Sequence, residues 1–252
     1  MSGSRAQSDT VGFVLVFSLI VLTVGTVYAA GFPALTDLRA AEQTENMERA
    51  FVVLDENVDD IVREGAPSRA TEIKLNGGTL AVEETTSVTV YAENTSDASR
   101  NFTVTAASRP ITYSDGDTTV AASFGAVLRG DGDAAVMRSD PGWLIDNERA
   151  MLPLTVTTRS GDRTAIGGSS TVLVAMDATS RGIAREMTAG NGSAITVNVT
   201  VESPRADAWR RYFESLDAGG SVVAASDDAV TYQIEVDRVV VPRTAIRVRL
   251  DR

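Results

Sequence analysis

Four Asn-x-Ser/Thr triplets and two Asp-Gly-Asp triplets are the residues of this 252-residue chain whose types and spacing could do chemistry. The first set comprises Asn94-Thr95-Ser96, Asn101-Phe102-Thr103, Asn191-Gly192-Ser193 and Asn198-Val199-Thr200. Each asparagine amide could accept an N-linked glycan if the domain lies outside the cell. Asn94, Asn101 and Asn191 fall near turn signals; Asn198 sits mid-strand, where it is accessible only if it faces out. Asp115-Gly116-Asp117 and Asp131-Gly132-Asp133 cluster the oxygens a hard cation wants. Neither continues into an EF-hand loop, so both read as solvated turns. Arg129-Gly130-Asp131 spells an adhesion tripeptide and reads as coincidence in an acidic chain.

The missing residues narrow the chemistry. The chain has no histidine and no cysteine, which removes the commonest general base, the usual zinc ligands and any disulfide. Its one lysine, Lys74, lies in an alternating pattern with no Ser-x-x-Lys. No Gly-rich loop links a strand to a helix in phosphate-binding style. Carboxylate pairs are too numerous to single one out, since a glycosidase pair is defined by separation in space. The expectation is no enzyme, no catalytic or metal residues and no cofactor. The net charge of −11 keeps the chain dispersed in salt and argues against nucleic acid as a partner, which needs clustered basic residues. Acidic composition with arginine in place of lysine resembles a halophile proteome.

Residues 11–32 contain no charge. At about 1.5 Å per residue they span roughly 33 Å, a bilayer core. The run is longer than the 7–15 apolar residues of a cleaved secretory signal, although Ala29-Ala30 could serve as a cleavage site. A permanent single-span anchor fits better. Arg5 precedes the run and Asp37 and Arg39 follow it, a weak bias toward an inside N-terminus. Beyond it, Ala40, Thr44, Met47, Phe51, Leu54, Val58 and Ile61 repeat at 4-3 spacing, a narrow apolar seam. The seam packs either on the protein's own domain or, in part, on neighbouring subunits. Glu42, Glu45, Glu48, Asp55, Glu56, Asp59, Asp60 and Glu64 read as a solvated face. Pro33 is expected to kink the helix rather than end it, which would make residues 8–64 a bent rod about 85 Å long.

The stretch from Ser4-Arg5-Ala6-Gln7 through Ser8-Asp9-Thr10-Val11-Gly12 into the apolar run resembles the start of haloarchaeal type IV pilin-like surface proteins. In that family a short basic stub ends in Arg-Ala or Arg-Gly, and a prepilin-type peptidase cuts ahead of the apolar helix. The resemblance covers about the first 25–60 residues. It implies processing between Ala6 and Gln7 and association with sister subunits through the N-terminal helix. Asp9 departs from the family's proline.

After Pro67 the apolar period changes to two. Short runs at Thr71–Leu75, Thr79–Glu83, Ser87–Glu93, Asn101–Ala106, Thr119–Leu128, Ala134–Arg138, Leu152–Thr158, Thr171–Asp177, Ile195–Glu202, Ser221–Ala225, Val230–Val241 and Ala245–Leu250 read as strands. Asn76-Gly77-Gly78 signals a hairpin. Ser203-Pro204 is expected to cap a short helix carrying Trp209, Tyr212, Phe213 and Leu216 on its core face. The fold class is therefore α+β: a long N-terminal transmembrane or stalk helix, then an antiparallel β-rich domain, sandwich or rolled sheet, with one short helix. The organisation is 1–10 cytoplasmic stub, 11–32 transmembrane helix, 33–66 amphipathic stalk and 67–252 extracellular domain. The function expected is non-catalytic: a cell-surface pilin-like subunit or minor pilin, with membrane lipid and sister subunits as partners. The alternatives are a monomeric anchored binding ectodomain and, behind it, an anchored hydrolase.

Overall fold

Helix α1 runs unbroken from Gly3–Val62, so Pro33 does not end it. The computed structural model describes residues 3–82, 85–131, 134–190 and 192–252. The chain divides into two compact units, Met1–Asn46 and Met47–Arg252, with the boundary inside α1. The second unit therefore begins well before Pro67. It contains the last four turns of the helix and every strand.

Those strands are β1 (Ser68–Lys74), β2 (Thr79–Ala81), β3 (Thr86–Asn94), β4 (Asp97–Ser108), β5 (Ile111–Asp115), β6 (Thr118–Ser123), β7 (Ala126–Asp131), β8 (Ala134–Ser139), β9 (Leu144–Ile145), β10 (Arg149–Met151), β11 (Leu154–Arg159), β12 (Ala165–Gly167), β13 (Thr171–Thr188) and β14 (Ile195–Glu202). Helix α2 (Ala206–Ser215) follows, then β15 (Ser221–Ala225), β16 (Ala229–Val236) and β17 (Arg238–Asp251). They form three sheets. The first has the order β1-β13-β17-β10-β9, with β11 also on β17. The second is β12-β2-β5-β6-β7-β8, and the third is β15-β16-β14-β3-β4.

Most pairings are antiparallel, as alternation implies. Two are not: β10 and β11 both run parallel to β17. Parallel neighbours need a long crossover, here supplied by everything between residues 159 and 238. The Asn76-Gly77-Gly78 turn does not close a hairpin either. β1 pairs with β13 while β2 pairs with β5 and β12, so the turn passes the chain from one sheet to another. The run Thr119–Leu128 is two strands. Phe124 (φ 52°) and Gly125 (φ 76°) form the two-residue turn between them, the doubly left-handed geometry that suits strand twist. Phenylalanine is a poor residue for that backbone. It is held there by burial of its ring in the core, where it is 2% exposed.

Two hydrophobic cores lie within the second unit. One surrounds the helix tail: Met47, Phe51, Leu54, Val58 and Ile61 are buried with residues of β1, β2, β5, β6, β12, β13 and β17. The other lies beneath the third sheet, where Val88, Val90, Ala92, Phe102, Val104, Val197 and Val199 meet α2 and Trp143. β17 belongs to both. Its odd residues Val239 and Val241 enter the second core, and its even residues Ile246, Val248 and Leu250 enter the first. Successive strand side chains point to opposite faces, so one strand walls two cores without a break at Pro242. β13 follows it through 14 paired positions with bulges at Ala178/Ser180 and Ile183/Arg185.

Helix α2 places its aromatics as the spacing implied. Trp209, Tyr212 and Phe213 are buried, with ring centroids of Trp143 and Trp209 5.3 Å apart and Phe213 stacked on Tyr232 at 5.0 Å. The cap differs from expectation. Arg205 is the N-cap residue without a side-chain cap bond, and the Ser203 hydroxyl accepts the Arg205 N–H at 3.1 Å, just ahead of the helix.

Candidate functional site

The apolar half of α1 is the region whose exposure demands an explanation. Val11–Ala29 is 19 residues long, has a mean hydropathy of 2.4, and none of it is buried. At about 1.5 Å per residue it is roughly 28 Å long, enough to cross a bilayer core. Its two threonines do not spoil the surface. Thr23 and Thr26 donate their hydroxyls to the carbonyls of Leu19 and Leu22, each at 2.8 Å, so both donors are satisfied inside the helix as a nonpolar medium requires. Phe13 and Phe17 lie one turn apart with ring centroids 6.2 Å apart, and Tyr28 and Phe32 with centroids 5.6 Å apart. The exposed rings and branched side chains surround the cylinder rather than forming a stripe, the pattern of a helix meant for an apolar surrounding. Ala6 and Gln7, the expected processing positions, belong to the α1 backbone; their side chains lie outside the described residues.

The tail of α1 has a different character. Glu48 and Asp55 read as solvated in the sequence, yet they are 9% and 8% exposed. The β7–β8 hairpin covers them. Glu48 Oε1 meets Arg129 Nη1 at 2.9 Å, and Oε2 meets Arg138 Nε at 2.7 Å. The Ser139 hydroxyl donates to Asp55 Oδ2 at 3.1 Å. Burial pushes the Asp55 carboxyl up to about 6, with Asp59 and Glu56 adding to the rise and Ser139 and Arg63 opposing it. Further along, Arg69 Nε donates to Asp60 at 2.8 Å, Asn57 Nδ2 donates to Thr71 at 2.9 Å, and Arg181 Nε donates to the Ile61 carbonyl at 3.0 Å. The last bond satisfies one of the carbonyls a helix end leaves without an intrahelical partner.

The glycan candidates separate cleanly. Asn94 is 2% exposed. Its Oδ1 accepts the Ser96 and Asp97 N–H groups and its Nδ2 donates to Ser193 Oγ at 3.2 Å. Expected at an open turn, it is instead the inward peg that holds the turn. Asn101 is exposed, with Nδ2 donating to the Ala98 carbonyl at 2.7 Å. Asn198 faces outward from mid-sheet, half-buried, and accepts Gln233 Nε2 at 2.9 Å. Asn191 lies outside the described residues.

The Asp-Gly-Asp triplets sit at strand ends. Gly116 (φ 57°) occupies the turn between β5 and β6. Asp131 is held by Arg129 at 3.0 Å and by the Thr118 hydroxyl at 2.8 Å; Gly132 and Asp133 lie outside the described residues. Among the described residues no group of three or more carboxylates is placed to hold a metal ion.

One polar cleft of about 850 Å3 escaped the sequence reading. It is lined by Pro204, Asp207, Arg210, Ser226, Asp227 and Asp228, brought together by α2 and the β15–β16 turn. The two halves are twenty residues apart, and no spacing rule links them. Asp207 is committed to Arg210 and Arg211, and the hydrogen bond from Arg210 holds its carboxyl below the usual range. A carboxylate held ionised is a poor general acid.

The chain belongs to DUF7289, a family of unknown function whose model matches residues 5–249. Over 81 residues, 32% of the chain, it is 24% identical to an uncharacterized protein of Archaeoglobus fulgidus, and the match spans 27% of that relative's length. No solved structure matches the chain.

Proposed function

We propose that this member of DUF7289 is a non-catalytic cell-surface protein, a type IV pilin-like subunit or minor pilin, held by its N-terminal helix with the β-rich domain outside. The observation that carries the reading is the exposed, uncharged helix Val11–Ala29. Left in water, its Leu, Val, Ile and Phe side chains would each forgo roughly 1.5–3 kcal/mol. Lipid or the core of a helix bundle removes that cost. The bundle version draws on the prepilin-like Ser4-Arg5-Ala6-Gln7 stub. Its extent is limited by the helix tail: Met47, Phe51, Leu54, Val58 and Ile61 are occupied by the protein's own core, so bundling belongs to residues upstream of Met47.

That same occupancy favours a second reading, a monomeric single-span protein with a binding ectodomain. The two readings part on processing. Protein purified from its native membrane and sequenced from the N-terminus distinguishes them. A mature start at Gln7 supports the pilin-like subunit. A start at Met1 or Ser2 supports the plain anchor. A start near Ala30 removes both, because the helix would then be a discarded signal.

A further inference from the structure

We infer that Asn101 is the chain's glycan acceptor on the third sheet and that Asn94, which carries the same sequence signal, is not. The inference rests on the outward placement of the β domain proposed above, and on strand parity. In β3 the even positions Val88, Val90 and Ala92 are buried, and Asn94 follows them inward. In β4 the even positions Phe102, Val104 and Ala106 are buried, so the odd positions Asn101 and Thr103 both face solvent. The two residues the triplet needs, the amide and the hydroxyl two positions on, therefore stand side by side on one open face. β4 is also the edge strand of its sheet, paired there only with β3; the end of β13 approaches it at Arg100, which donates to the Thr188 carbonyl at 3.0 Å, while Asn101 and Thr103 stay exposed on their own face.

Asn198 is a poorer acceptor by the same geometry. It lies on the central strand of the five, its Oδ1 is taken by Gln233, and the hydroxyl of its Thr200 is bonded to Thr231 at 2.9 Å. Asn94 is excluded because its amide is buried and bonded to Ser193.

The chemistry balances without a redox partner. The Asn101 Nδ2 attacks C1 of a lipid-phosphate-linked oligosaccharide. The N–C1 bond forms as the C1–O bond to phosphate breaks. One amide proton is lost to a base of the transferase and the lipid phosphate departs. The remaining N–H can keep the bond to the Ala98 carbonyl, so the modification leaves the hairpin between β3 and β4 intact.

The test is glycopeptide mass spectrometry on the full chain purified from native membranes, beside protease digestion of intact cells. The expected result is a glycan on the Asn101 peptide, none on Asn94, and complete loss of the Asn101 glycan in both Asn101→Gln and Thr103→Ala. Thr103→Ser keeps it. All three variants should melt within about a degree of the parent, since the positions are exposed. A bare Asn101 on a domain that protease reaches from outside overturns the inference and leaves the surface reading standing. A glycan on Asn94 also overturns it. A domain that protease cannot reach on intact cells, but does reach after lysis, overturns both.

Discussion

The two halves of α1 are one helix with two kinds of apolar pattern. Residues 11–29 are apolar all round and bare. Residues 47–61 are apolar along a seam, and that seam is buried by the strands of their own unit. The difference shows why hydrophobicity alone does not mark a membrane segment. An all-round pattern cannot be satisfied by one sheet face, because half of it always points away. A 4-3 seam can, since its opposite face carries Glu56 and other carboxylates for water. The seam is thus an internal strut of the β domain, and the uniform cylinder is the part left for something else.

The contrast can be broken most decisively by truncation. A chain starting near Thr44 should fold with a cooperative thermal transition. One starting at Glu64 should lack that transition altogether, because it deletes five buried core residues. A cooperative transition in the shorter chain would show that the helix tail is merely attached. Next in size is Phe51→Ala, which empties a fully buried position and should cost about 3–5 kcal/mol in denaturant unfolding. Phe17→Ala, on the bare half, should leave the unfolding of the β domain unmoved. Equal effects would erase the distinction between the halves.

Asp55 offers a smaller probe. Its carboxyl is raised from 3.8 to about 6 in the folded chain. Below about 4 it is protonated whether folded or not, and it carries no penalty. Between about 4 and 6 the folded state holds more protons than the unfolded, so its contribution to stability falls as pH rises. Above 6 the penalty is complete, on the order of 3 kcal/mol. Asp55→Asn should therefore flatten the stability profile between pH 4 and 6 and stabilise the domain at pH 7. An unchanged profile would mean that water or Arg63 already relieves the charge. A smaller effect belongs to Glu48. Its coupling to Arg129 and Arg138 in a double-mutant cycle should be about 1 kcal/mol, since both arginines remain partly exposed. The exposed Arg249–Asp251 pair should give a value near zero.

The signals that carried over are local and periodic. The strand alternation around Val88–Ala92 and Ile195–Val201, the aromatic face of α2 and the Met47 to Ile61 part of the α1 seam appear in the structure where their spacing places them; of the rest of that seam, Thr44 is half-buried and the Ala40 side chain lies outside the described residues. Asn94 continues the even positions of β3, and the alternation that buries Val88, Val90 and Ala92 turns it inward as well. The signals that failed needed a partner to interpret them. Asn76-Gly77-Gly78 has the composition of a hairpin, but β1 found β13, a hundred residues away. Phe124-Gly125 does not look like a turn because its first residue is wrong for one, and core burial compensates. Glu48 and Asp55 look solvated until β7 and β8 close over them.

The sequence by itself determined the kinds of element and which faces must leave water: an uncharged helix, a seamed helix, alternating strands, and a chemistry without histidine or cysteine. These follow from side-chain spacing and residue type, which act over a few residues. Only the tertiary structure decided that the seam is internal and that β17 walls two cores. It also brought β10 and β11 parallel to β17, opened a cleft between Asp207 and Asp228, and separated one accessible asparagine from its buried twin. Those outcomes depend on which distant strand supplies the other half of each contact, and no local pattern carries that choice.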